Sequence, residues 1–241
     1  MGFSGLTRWT WAWVRRRPED IGLLPDGDAP PMEADGGVTE IVRDEHWTVR
    51  EAVRTRAFWL LLFGTSQLML VGGATNLSMA PHIEDNGLGR DTAVAVVTVW
   101  AIFGIVGGLI GGEIRQRVSV RYALPGVLVF SAIGLLGLIF VSSVWMAFAF
   151  AVFHGTAFGA QLPLNQTSFP DYFGRYSVGA IRGVTAPLQF GLNAVGPVVA
   201  SVAFDRSGSY DAIFGAFVGL LLLGAVLILL AAPPQKRPAY S

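Results

Sequence analysis

The sequence predicts an all-α polytopic membrane bundle of six transmembrane helices, and three observations carry that prediction. First, six stretches contain no Asp, Glu, Lys or Arg: about Ala57–Ala80, Thr92–Gly112, Ala123–Ser142, Val144–Leu164, Gly183–Phe204 and Ala212–Ala232. Each is roughly 20 residues, the length an α-helix needs to cross about 30 Å of hydrocarbon. Second, if every stretch crosses, all of the 17 Lys and Arg residues except Arg90 and Arg206 fall on one side. That is the positive-inside asymmetry, and it places both chain ends in the cytoplasm. Third, hydrophobic residues make up 52% of the 241-residue chain and charged residues only 14%, against about 25% charged in an average soluble domain. A soluble helical protein would need amphipathic stripes with polar faces, whereas these stretches are apolar all round.

Along the chain, residues 1–14 lack the clean apolar core of a signal peptide, because Arg8 and the tryptophans Trp9, Trp11 and Trp13 interrupt it. They read either as an interfacial segment with aromatic rings at headgroup level or as the remnant of a preceding span. Residues 15–56 form a cytoplasmic connector whose acids and prolines between Glu19 and Asp35 argue for irregular structure. Helix resumes near Thr48, where Thr48-Val49-Arg50-Glu51 matches a capping box, and it leads through Arg50, Arg54 and Arg56 into the first span. Residues 57–232 hold the six spans. Their connectors alternate: His82–Asp91 is acidic and outside, Glu113–Arg121 basic and inside, and Ser142–Ser143 an uncharged outer turn. Residues 165–182 return inside, Asp205–Asp211 lies outside, and residues 233–241 form a cytoplasmic tail with Lys236 and Arg237. With 16 Arg against a single Lys, and much Ala and Gly, the composition is that of a GC-rich genome; a bacterial inner (plasma) membrane is the expected location.

Within the spans, glycines at four-residue spacing predict close helix packing. Gly104–Gly108 and Gly107–Gly111 lie in span two, Gly155 and Gly159 in span four, and Gly196 in span five. Polar residues form a second pattern. His154, Gln161 and Asn165 in span four are spaced by seven and four and share one helix face; Arg182, Gln189 and Asn193 in span five repeat that spacing. In span one Gln67, Ala74 and Ser78 align likewise, with Asn76 close by. Polar groups are costly in lipid unless they face protein or water. Two readings fit: hydrogen bonds between helices, or stripes lining a water-filled cavity. On the cavity reading the candidates are Gln67, Asn76, His154, Gln161, Asn165, Gln189 and Asn193. His154 is the one titratable group deep in a span, and an imidazole switches charge near physiological pH. It is a candidate for proton coupling, with a neutral hydrogen-bonding role as the alternative.

No enzyme constellation is present. There is no HExxH, GxSxG or P-loop, and the histidines His46, His82 and His154 fall far apart and on different sides. The absence of cysteine excludes disulfides, thiolate catalysis and Cys-ligated metals. A net charge of zero and arginines confined to short loops give no nucleic-acid face. No cofactor or metal is expected. The expected partners are the lipid bilayer and a small-molecule substrate.

Four segments resemble a known family. Arg16-Arg17-Pro18-Glu19-Asp20-Ile21-Gly22-Leu23-Leu24-Pro25-Asp26-Gly27 resembles the central cytoplasmic loop of major facilitator superfamily transporters, in the branch related to oxalate/formate and monocarboxylate carriers. Gly112-Glu113-Ile114-Arg115-Gln116-Arg117-Val118-Ser119-Val120-Arg121 looks like a degenerate copy of the superfamily's inner-loop motif, G-x-L-x-D-R-x-G-R-R. Arg117 and Arg121 fit it, while Gln116 and Ser119 stand where Asp and Gly are usual. The lost acid weakens the salt-bridge latch that the motif supplies. Asp171-Tyr172-Phe173-Gly174-Arg175 with Gly179-Ala180-Ile181-Arg182-Gly183 resembles the loop between spans ten and eleven. Gly196-Pro197 with Asp205-Arg206-Ser207-Gly208-Ser209-Tyr210 resembles the end of span eleven.

The resemblance implies half of a major facilitator fold, six helices as two inverted three-helix repeats, with spans one to six as the family's seven to twelve. Substrate then binds near the midplane between two halves, and spans one, two, four and five line the cavity. It implies transport of a small solute, an organic anion in this branch, by alternating access. One departure is that spans two and five carry no Arg or Lys, with Arg182 only at the cytoplasmic edge. The chain reads as the C-terminal half of such a carrier. It is expected to be a fragment, a homodimerising six-span protein, or one of a split pair. The alternative is a non-transporting membrane scaffold or interaction subunit.

Overall fold

The computed structural model describes residues 47–174 and 177–234, and it is helical nearly throughout. A single helical turn, Val49–Ala52, precedes six long helices: α1 (Arg56–Asp85), α2 (Arg90–Arg117), α3 (Val120–Ile139), α4 (Val144–Phe173), α5 (Val178–Ser207) and α6 (Asp211–Leu230). All six are long and apolar enough to cross a membrane. The chain is an integral membrane protein. The expectations for residues 1–14, the connector up to residue 46, the Arg16–Gly27 segment, Arg175 and the tail from residue 235 lie outside the described residues.

Local signals set the helix ends. The capping box forms as its spacing requires: the Glu51 carboxylate accepts from the Thr48 amide at 2.8 Å, and the Thr48 hydroxyl accepts from the Glu51 amide at 3.3 Å. It holds only one turn, because Thr55 caps a new start for α1 by accepting from the Phe58 amide. Gly208 closes α5 in the left-handed region at φ 70°, where its amide bonds back to the Phe204 carbonyl. Helices α1, α4 and α5 each run for 30 residues, about 45 Å at the usual rise. They overshoot a 30 Å hydrocarbon layer, so the polar flanks of the apolar stretches are helical too. The segment 165–182, an inner connector by hydropathy, is therefore mostly the last turns of α4 and the first of α5.

The packing has an internal symmetry. Helix α1 packs on α5 as α4 packs on α2, α1 meets α6 as α4 meets α3, and α3 meets α6. Exchanging α1–α3 for α4–α6 leaves this pattern unchanged. Each triplet has an odd number of crossings, so the second begins from the opposite side. These are two inverted three-helix repeats, the architecture of half a major facilitator fold.

The α2–α4 seam is built on absent side chains. A Cβ on Gly107 would overlap the Thr156 backbone, one on Gly111 the Ala160 backbone, and one on Gly159 the Gly104 carbonyl. Small residues here let backbones touch, which replaces the hydrophobic drive that lipid removes. The same holds between α5 and α1, where Gly196 sits against the Leu70 carbonyl.

The end carrying the arginines, called the basic end here, is tied across helices. Arg115 of α2 donates to Thr167 at 3.1 Å and pairs with Asp171, both on α4. Arg121 at the start of α3 donates twice to the Leu229 carbonyl, at 3.1 and 3.0 Å, and the Tyr172 hydroxyl donates to the Ala231 carbonyl at 2.7 Å. Together they satisfy carbonyls that the C-terminus of α6 leaves without helical partners. At the opposite, acidic end, buried His82 meets the Leu138 carbonyl at 2.9 Å and joins α1 to α3. Its ring packs edge-on against Phe214 of α6, 5.1 Å between centroids. Between α6 and α5, burial and the nearby Asp85 and Asp205 carboxylates push the Tyr210 hydroxyl above its ordinary pKa.

Candidate functional site

Helix α5 buries only Ile181, Thr185, Gly196 and Ala200. It rests against α1 and barely touches α4. A cleft therefore runs between α4 and α5 with α1 as its floor, and it widens into two adjoining grooves. The first, toward the basic end, has a volume of about 180 Å³ and is lined by Met69 of α1, Leu162, Asn165, Gln166 and Phe169 of α4, and Arg182, Thr185, Ala186, Gln189 and Phe190 of α5. The second lies about one helical turn deeper and has a volume of about 510 Å³. Gly72, Gly73, Asn76 and Leu77 of α1, Phe158 of α4, and Asn193, Ala194 and Pro197 of α5 line it.

The floor is fixed by two hydrogen bonds from α5 to α1. Gln189 donates to the Thr65 hydroxyl at 2.9 Å, and Asn193 donates to the Met69 carbonyl at 2.9 Å. Gly73 permits this approach, since a Cβ there would overlap the Asn193 backbone. In the α5 stripe, Gln189 and Asn193 each join two helices and also border a groove. Asn165 is 8% exposed, borders the first groove and has no partner for its side-chain oxygen. Asn76 borders the second groove and is exposed.

The remaining candidates go elsewhere. His154 is 1% exposed and lies between α4 and α2, where its Nδ1 accepts from the Trp100 indole at 3.0 Å and its Nε2 is buried without a partner. Gln161 is buried with neither amide atom paired, and it lines neither groove. Gln67 directs its amide oxygen toward Gly224 of α6, behind the cleft. Of the inner-loop residues, Arg117 pairs with Glu113 on its own helix, whereas Arg121 caps α6. The helix-to-helix ion pair comes from Arg115, which sequence reasoning did not single out. Its signal was present, since Asp171 lies in a matched segment and Gln116 supplies no acid.

Arg182 is the other residue that gains a role. Hydropathy sets it at the edge of span five, but the early start of α5 puts it in the second helical turn, where it borders the first groove. It is half-buried there and, among the described residues, makes no ion pair or side-chain hydrogen bond. Among the described residues, no three acidic or histidine side chains converge as a metal would require.

Comparison with known proteins agrees with this architecture. The sequence profile described as Major Facilitator Superfamily matches residues 33–240. The uncharacterized MFS-type transporter YfnC of Bacillus subtilis (strain 168) is 26% identical over 153 residues, 62% of this chain. That match spans 36% of the relative's own length, so the chain corresponds to a part of it. An inverted pair of three-helix repeats and a profile match across most of the sequence lead to one conclusion: this chain belongs to the major facilitator superfamily.

Proposed function

We propose that this chain is the C-terminal six-helix half of a carrier that moves a small solute by alternating access. We place it in the branch similar to oxalate/formate and monocarboxylate carriers, with an organic anion as the solute. The basic end then faces the cytoplasm, as the charge asymmetry requires, and the membrane is a bacterial inner membrane. Carriers built from inverted repeats bind substrate at the interface between halves. A second body therefore completes the cavity, either an N-terminal half or another copy of this chain.

The observation that carries this reading is the cleft. Asn76, Asn165, Arg182, Gln189 and Asn193 come from three helices to border two adjoining grooves in an otherwise apolar bundle. Lipid-facing surface would not support amides at those positions. His154 as the proton-coupling residue is part of the same proposal. The feature that favours it is the buried Nε2 without a protein partner.

Uptake of labelled small carboxylates into proteoliposomes tests the carrier reading, with and without a co-reconstituted N-terminal half. Uptake that needs the partner supports a split carrier, and uptake by the chain alone supports a self-paired one. No uptake in either preparation, with the helical fold intact, would favour the non-transporting scaffold instead.

A further inference from the structure

We infer that the cleft is a subsite for hydroxyl groups, and that the solute is polyhydroxylated, held along its carbon chain by the amides of Asn76, Gln189 and Asn193. This rests on the carrier reading and names the class of solute that the carrier takes. The partners of the two α5 amides fix which end of each is left over. Gln189 meets the Thr65 hydroxyl at 2.9 Å, and that hydroxyl already donates its own hydrogen to the Leu61 carbonyl at 2.8 Å. Asn193 meets the Met69 carbonyl at 2.9 Å, and a carbonyl only accepts. Both side chains must therefore turn an N–H toward α1. Each keeps an oxygen with no hydrogen-bond partner among the described residues, and neither oxygen is buried.

What remains open on each amide is a carbonyl oxygen and a second N–H. A hydroxyl donates and accepts, so it matches both; a carboxylate only accepts and an ammonium only donates. Asn76 is exposed at the deeper groove and makes no side-chain hydrogen bond among the described residues, so its whole amide is available. No charged residue lines that groove, and Arg182 in the adjoining one disfavours a cation nearby. Gln189 and Asn193 are one helical turn apart, about 6 Å along the axis, which a chain of about five carbons covers. Leu77, Phe158 and Pro197 offer apolar walls to that carbon chain. An alkyl chain entering the cleft would strip water from the amides and replace none of its hydrogen bonds, whereas a polyol chain replaces them.

The full chain in phosphatidylcholine nanodiscs is titrated with gluconate, hexanoate and glucitol, and binding is read by calorimetry. Gluconate and hexanoate share a carboxylate and a chain length and differ in their hydroxyls; glucitol keeps the hydroxyls without the charge. Gluconate and glucitol should each bind at least tenfold more tightly than hexanoate. Asn76→Leu should cut that preference at least fivefold at an unchanged melting temperature, because Asn76 holds no helix in place, and Asn76→Gln should retain part of it. Asn193→Ala should cut it as well, whereas Gln67→Leu, which lines neither groove, should leave it within twofold. Equal binding of hexanoate and gluconate, no binding of gluconate or glucitol, or an undiminished preference in both Asn76→Leu and Asn193→Ala overturns the inference. Hydroxyl-dependent binding by a chain that never transports, alone or with an N-terminal half, overturns the carrier reading alone. Uptake of carboxylates that is indifferent to their hydroxyls overturns the solute class alone.

Discussion

The indole N–H of Trp100 donates to Nδ1 of His154 at 3.0 Å, and this bond joins α2 to α4 inside the bundle. An indole nitrogen only donates, so Nδ1 must be an acceptor and carries no proton in this arrangement. On the proton-coupling proposal, the proton that His154 exchanges is then the one on Nε2.

Trp100→Phe removes the donor and strands Nδ1. The expected cost is about 0.6–2 kcal/mol, the range for hydrogen bonds between membrane helices, read as a lower melting temperature in detergent. His154→Asn keeps an acceptor near Nδ1 and should cost less than His154→Leu. If His154 couples protons, uptake by His154→Asn loses its pH dependence. A purely structural histidine would leave the pH profile in place and lower stability alone.

The glycine seam makes a sharper contrast. Gly159→Ala puts a methyl into the Gly104 backbone, and such overpacking typically costs about 1–3 kcal/mol. Gly112→Ala, on the partner helix α2 but with open space at the Cβ position, should be neutral or stabilise by up to about 1 kcal/mol. Thermal unfolding of the two single variants decides it. Equal melting temperatures would mean that α2 and α4 do not touch as described.

Two neighbouring arginines should behave differently. Arg117→Gln removes a pair within one exposed helix face and should change stability by no more than about 0.5 kcal/mol. Arg115→Gln unties α2 from Thr167 and Asp171 of α4 and should lower the melting temperature measurably. The exchange Arg115→Asp with Asp171→Arg should recover part of that loss. If the double variant is as unstable as the sum of its parts, the two residues are not coupled.

On the carrier proposal, the amides of the cleft bear on transport. Asn193→Ala removes the bond to the Met69 carbonyl and a polar group of the deeper groove. Uptake should fall at least tenfold with little change in expression or helicity. Gln67→Leu, at a position turned toward Gly224, should leave uptake within a few-fold of the parent. The reverse ranking would place the working cavity on the α1–α6 side.

The six crossings, their charge sorting and the glycine seams could be read from the sequence because each depends on near neighbours along the chain. Twenty uncharged apolar residues specify a membrane helix wherever they sit, and glycines four apart specify a surface that accepts a close partner. Spacing also put His154, Gln161 and Asn165 on one face of α4. It could not say which helix that face would meet. Packing turned Asn165 to the cleft and His154 to Trp100, and turned Gln67 of α1 to Gly224, so one kind of stripe serves different neighbours. Arg182 shows the other limit. Hydropathy ends a span where charge begins, but a helix continues wherever its backbone bonds are satisfied, and α5 starts five residues before its apolar stretch. The azimuth of each helix and the true start of α5 arise from contacts between residues distant in the chain, so the tertiary structure alone decided which polar groups share a groove.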